Sequence, residues 1–130
     1  MRLLLALHGV LLSLCLVPIL SAQDAVKVDP KHYTVVSEND QVRILKVHYG
    51  PHEKSVMHSH PDAVAVFLND SKGRFSFPDG KTQDLNAKAG DAVYTPKQTH
   101  LPENIGDTGF DLIVVELKGH AAKPAKMENK

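Results

Sequence analysis

Cysteine is nearly absent from this sequence, tryptophan is absent altogether, and neither sign of charge is in excess. The one cysteine, Cys15, sits inside an apolar run near the N-terminus and follows Leu14, a poor context for lipid attachment. Once that run is removed, the chain has no thiol for a disulfide, a thiolate nucleophile or a metal–sulfur site. Lysine and arginine number 15 against 15 aspartates and glutamates, with no basic cluster, which excludes nucleic acid as an electrostatically bound partner. Internal repeats and heptads are lacking, and beyond the N-terminus no stretch carries a helical 3.6 period. The length of 130 residues fits one domain.

One long hydrophobic run is present. Met1-Arg2 gives a short positive start, Leu3 to Leu20 is apolar apart from His8, Gly9 and Ser13, and Ser21-Ala22 offers small residues for cleavage. Residues 1–22 are therefore expected to form a signal peptide cut after Ala22, which makes the mature chain secreted or periplasmic. The run is just long enough to span a bilayer, so retention as an anchor is the alternative; after cleavage no membrane association is expected. Residues 23–31 lack a periodic pattern and read as a flexible lead-in. Residues 32–118 read as the folded domain, and residues 119–130, charged and proline-bearing, as a flexible tail.

From His32 onward the signals are strands and turns. Val42 to Tyr49 alternates imperfectly, Arg43 and Lys46 interrupting it, and Ala63 to Leu68 is almost wholly apolar, as in a strand deep in a barrel. Pro78-Asp79-Gly80 is the clearest hairpin turn, and Phe110 to Leu117 is the strongest strand. Turns every eight to twelve residues indicate an all-β sandwich or barrel. Phe67, Phe75, Phe77 and Tyr94 are expected to line it.

The chemistry concentrates in two stretches. Gly50-Pro51-His52-Glu53-Lys54-Ser55-Val56-Met57-His58-Ser59-His60-Pro61 is answered by Gly90-Asp91 and by Pro96 to Asn104, which contains His100. Histidines at i and i+2 of a strand point to the same side of a sheet, so two imidazoles converge and a third from another strand can complete a metal site. The alternative is two half-exposed histidines near a turn, with His100 a turn residue after Thr99.

Gly50, seven residues, His58-x-His60-Pro61 resembles the first motif of the cupin superfamily. Gly90-Asp91, Pro96 and His100-x-x-x-Asn104 resemble the second. The resemblance implies a double-stranded β-helix (jelly-roll) barrel with His58, His60 and His100 as ligands of a divalent metal inside it, and weakly implies a homodimer through the outer strands. Cupins usually add a glutamate three or four residues after the second histidine. Ala63, Val64 and Ala65 stand in that window, so no carboxylate is available there. A glutamate placed at Val64 is expected to strengthen metal binding if that position faces the ion, with Ala63 and Ala65 testing the register.

Three neutral imidazoles leave a bound ion its full charge and leave open coordination positions. Iron, zinc, manganese, nickel and copper all suit such a set. Imidazoles of ordinary pKa, about 6.5, further imply that metal affinity falls steeply between pH 7 and 5. Among the other candidates, His52 belongs to an exposed turn, His48 to a strand of unassigned face, and His32 and His120 to the surface. Asp62 reads as a turn residue capping its own backbone, and Glu103 faces away from His100. Two functions remain: an exported metal-dependent enzyme, an oxygenase or isomerase, acting on a small organic molecule, or a non-catalytic module holding an apolar or sugar-like ligand.

Overall fold

Nine strands and one helical turn make up the regular structure of residues 23–119, the part of the chain that the computed structural model describes. The expected leader, residues 1–22, lies outside the described residues, as do His120 and most of the expected tail. The helical turn is α1 (Ala25–Val28). The strands are β1 (Tyr33–Glu38), β2 (Val42–Tyr49), β3 (His58–His60), β4 (Ala63–Phe67), β5 (Ser71–Ser76), β6 (Thr82–Ala87), β7 (Ala92–Thr95), β8 (Gln98–Asn104) and β9 (Phe110–Leu117).

Two antiparallel sheets face each other. One has the order β1-β2-β9-β4-β7 and the other β3-β8-β5-β6. This is the all-β barrel expected from the spacing of strands and turns, and its topology is the double-stranded β-helix that the motif resemblance implies. β9 lies between β2 and β4, and its alternation explains why: Phe110, Leu112 and Val114 are buried on the inner face, and Asp111, Ile113 and Val115 are half-covered on the outer. β4 runs beside it with Ala63, Ala65 and Phe67 inward. Two alanines on that face keep the interior open where larger side chains would fill it. The β5–β6 hairpin turns through Pro78-Asp79-Gly80, and Gly80 takes a φ of 83°, which a side chain resists. Leu45, Val47, Tyr49, Phe67 and Phe110 form the heart of the apolar core. Burial of each contributes roughly 1.5–3 kcal/mol.

The segment 23–31 corrects an expectation. It is not a structureless lead-in but part of the barrel. The Gln23 carbonyl accepts from Ser59 N–H at 2.8 Å. The Asp24 side chain caps α1, accepting from the N–H groups of Val26 at 3.0 Å and Lys27 at 3.3 Å. Ala25 is fully buried. A four-residue helix is too short to show a period, so its order comes from one cap and one buried methyl group. At the far end of the domain, Lys118 N–H still bonds to the Gln41 carbonyl at 2.8 Å.

Asn104, fully buried at the end of β8, ties two loops to the site. Its amide donates to the carbonyls of Gly50 (2.8 Å) and Thr108 (2.9 Å), and its oxygen accepts from Gly106 N–H at 2.9 Å. The chain entering β3 is thereby anchored before it delivers its histidines.

Candidate metal centre

β3 is three residues long, and its pleat turns His58 and His60 inward while Ser59 stays half-covered. On the neighbouring β8, His100 lies directly opposite His58 in the antiparallel register. The three rings stand edge to face, with centroids 4.8 Å apart for His58–His60, 5.1 Å for His58–His100 and 5.5 Å for His60–His100. One nitrogen from each lies within 4.8 Å of those of the other two, and all three residues are buried.

The partners of these rings decide which nitrogens are free. His58 Nδ1 is 2.8 Å from the Val56 carbonyl, which can only accept, so Nδ1 carries the proton and the buried Nε2 has no partner. His60 Nδ1 is 2.6 Å from Glu116 Oε1. Neither nitrogen of His100 has a partner, and the Phe75 ring packs against it, tilted by 50° with centroids 4.4 Å apart. Tyr33 covers the β3 pair, its ring 4.9 Å from His58 and 5.5 Å from His60, and its hydroxyl meets that of Tyr49 at 2.8 Å.

Burial, followed by the neighbouring His60, lowers the His58 pKa to about 4. Burial, followed by His60 and His58, lowers that of His100 to about 3. Burial pushes Glu116 upward, but the hydrogen bonds from His60 and Arg43 outweigh it and keep the carboxyl below its usual range. Burying lone pairs without partners costs about 1–3 kcal/mol each, and an acceptor of those lone pairs removes the cost. The donor set therefore fits a divalent cation that imidazole favours, such as zinc, copper, iron or nickel. The pKa values also revise the expected pH dependence. His58 and His100 stay neutral in the fold well below pH 6.5, so protons compete at these two nitrogens only near pH 4 and below.

No family model matches the chain, and no curated protein matches it. Solved structures do. A cupin domain from Bordetella pertussis shares 24% identity at a TM-score of 0.62, covering 67% of this chain and 92% of that one. A protein with a double-stranded β-helix domain from Klebsiella pneumoniae shares 25% at a TM-score of 0.55, covering 68% and 77%. The barrel is a cupin barrel. The polyketide cyclase RemF from Streptomyces resistomycificus has the same fold at 18% identity and a TM-score of 0.51, covering 67% and 64%.

The interior of this cupin barrel holds a cavity of about 70 Å³ whose wall includes His60, His100, Tyr33, Phe75, Ala63 and Ala65. Of the aromatic residues expected to line it, Phe67 and Phe75 do. Phe77 is half-buried beside Phe75. Tyr94 does not: it is 59% exposed, because the inward positions of β7 are Val93 and Thr95. Val64 also points outward, so a glutamate there cannot reach the histidines; Ala63 and Ala65 hold the inward phase.

His32, expected at the surface, is buried. It stacks on Tyr49 at 4.3 Å, and its Nδ1 and Nε2 lie 2.7 Å from Asp29 and 3.2 Å from Glu53. Ser55 bonds to the same Asp29 carboxylate. His52 is exposed as expected, and His48 proves to be exposed too, pairing with Asp111. Asp62 accepts from the N–H of Lys97 at 2.7 Å, so it caps the turn before β8 rather than its own. Glu103 faces away from His100, within 3.8 Å of Lys54.

Sequence reading missed Glu116. Its signal is faint but present: it continues the inward phase of Phe110, Leu112 and Val114 in β9, where an apolar residue is the norm. Arg43, noted only as a break in β2, is the residue that makes its burial tolerable, donating from Nε to Glu116 Oε2 at 2.6 Å.

Proposed function

We propose that this exported cupin binds a divalent metal through His58, His60 and His100 and acts on one end of a small, largely apolar organic molecule admitted to the barrel. The observation that carries the reading is the convergence of three buried imidazoles, with unpartnered nitrogens on His58 and His100, beside an apolar cavity that His60 and His100 line. Its enclosed volume is about half of the roughly 150 Å³ that accommodates benzene, so only part of a ligand enters. A metal held by three neutral imidazoles supplies Lewis acidity and open coordination positions, the chemistry of oxygenases and of metal-assisted proton transfer. The chain's own residues orient and exclude. The Val56 carbonyl holds the proton on His58 Nδ1, Phe75 packs against His100, and Ala63 and Ala65 make their part of the wall apolar. That RemF is a polyketide cyclase is consistent with chemistry on an organic substrate in a barrel of this fold.

A second reading, a non-catalytic binding module, is favoured by how little acid or base the described residues bring to the histidines: Glu103 belongs to the cavity wall, but its strand phase is opposite to that of His100 and it lies 3.8 Å from Lys54. Glu116 is engaged at both oxygens, and burial and Tyr49 push the Tyr33 phenol well above 10.

Metal analysis of protein purified from its native compartment tests the main reading, with one tightly held divalent ion per chain expected. Metal-free protein that takes up none of iron, zinc, manganese, nickel or copper overturns it. Oxygen consumption or turnover of candidate substrates separates enzyme from binding module. Export is tested by the mature N-terminus, expected at or near Gln23. Cleavage after Ala22 removes none of the contacts described, since Gln23 and Asp24 are already bonded into the barrel. An intact Met1 in a soluble cytoplasmic fraction refutes it.

A further inference from the structure

Four side chains form an unbroken chain from the N-terminal segment to the candidate centre: Asp24, Arg43, Glu116 and His60. Each link has only one chemical direction. A guanidinium has donors alone and an ionised carboxylate has acceptors alone. Arg43 therefore donates to both Asp24 and Glu116, and His60 must donate its Nδ1 proton to Glu116 Oε1. The register explains why Glu116 reaches the ring. Glu116 lies opposite Ala63 on β4 and opposite Arg43 on β2, so a methyl group leaves it room on one side and a cation holds it on the other. With one carboxylate oxygen on His60 and the other on Arg43, the group cannot rotate without losing a charge-assisted bond.

We propose that Glu116 is the positioning residue of the three-histidine centre: by holding the proton on His60 Nδ1 it presents a bare Nε2 for a ligand. The Val56 carbonyl performs this task for His58, whereas His100 has no such partner. Imidazole ligands whose other nitrogen is bonded to a carboxylate are held in one tautomer and made more basic. The inward carboxylate of this barrel thus comes from β9 and acts on the ring rather than on the ion. The inference rests on the metal reading for its purpose, but the tautomer can be tested without metal.

Glu116→Gln gives the discriminating variant. A glutamine has one acceptor oxygen, and Arg43 claims it. The amide NH2 then faces His60 Nδ1, which must accept, and the ring proton moves to Nε2. In metal-free protein, long-range ¹⁵N–¹H correlation spectra should show Nδ1–H on His60 in the wild type and Nε2–H in the variant. Zinc affinity, measured by calorimetry at about pH 7, should fall about 10–100-fold. Adding Arg43→Met frees the glutamine oxygen to accept from His60, so the double variant should recover both the Nδ1–H tautomer and most of the affinity. A merely structural role predicts the reverse, with the double variant worse than the single one. Should Glu116→Gln fail to fold, the wild-type spectrum and the double variant still decide. A wild-type His60 protonated on Nε2 with Nδ1 bare, an unchanged tautomer and affinity in Glu116→Gln, or no recovery in the double variant overturns the proposal. A wild type with Nδ1–H on His60 that takes up none of iron, zinc, manganese, nickel or copper overturns the metal reading alone.

Discussion

Lowering the pH from 8 to 5 should destabilise the metal-free protein by about 4 kcal/mol, and two residues should account for most of it. An unfolded imidazole titrates at about 6.5, so at pH 5 it gains about 2 kcal/mol by taking up a proton. His58 and His100, with pKa values lowered to about 4 and about 3 by burial and by neighbouring rings, gain almost nothing in the fold at that pH. The unfolded state binds more protons than the native one, so stability falls as pH drops below 6.5 and goes on falling until the folded groups titrate. The window also isolates these histidines from the shifted carboxyls. Asp24, Glu53 and Glu116 have lowered pKa values, so they stabilise the fold above the ordinary carboxyl range and lose that contribution only at lower pH. Urea unfolding of chelator-treated protein at several pH values reads the effect. His100→Leu, which keeps bulk beside Phe75, should flatten the profile by about 2 kcal/mol between pH 8 and 5. Equal pH dependence in wild type and His100→Leu would refute the argument that burial keeps this ring neutral.

Asp24→Ala removes the cap of α1 and one partner of Arg43, and should cost about 1–2 kcal/mol in denaturant unfolding. It should leave zinc affinity within about twofold, because the Glu116–His60 contact is untouched. Phe67→Ala opens the core beneath β4 and should cost about 3–5 kcal/mol, a large share of the 5–15 kcal/mol typical of a domain. A loss below about 1 kcal/mol would mean that the cavity collapses around the missing ring. Ala65→Leu, filling the cavity from its inward face, should displace any apolar ligand while leaving metal content unchanged, as measured by metal analysis and ligand titration.

The strand order along the chain was legible because alternation and turn chemistry are local. β9 and the β5–β6 hairpin carry period-2 burial and a Pro-Asp-Gly turn on the face of the sequence. Lateral relations were not legible, and the misplacements share that cause. Tyr94 reads as core until the pairing of β7 with β4 shows which phase faces inward. His32 reads as surface until Asp29 and Glu53, one three residues away and the other 21, close around its ring. The segment from Gln23 to Lys31 reads as structureless because its anchors, Ser59 and Arg43, lie far along the chain.

The same reasoning accounts for the carboxylate that motif spacing could not locate. Counting forward from His60 surveys one strand, β4, and finds alanine and valine. A barrel site is built across strands, and the nearest neighbours of an inward residue on β4 are the inward residues of β9 and β7 at the same level. Glu116 occupies the β9 place beside Ala63. From there its Oε1 meets His60 Nδ1, and its Oε2 is taken by Arg43. A carboxylate reaching from β4 would have had no such cation in register, since Arg43 is opposite Glu116 on β2. Moving the acid one strand sideways therefore changes what it can do: it gains a counter-ion that keeps it ionised while buried, and it is committed to orienting an imidazole.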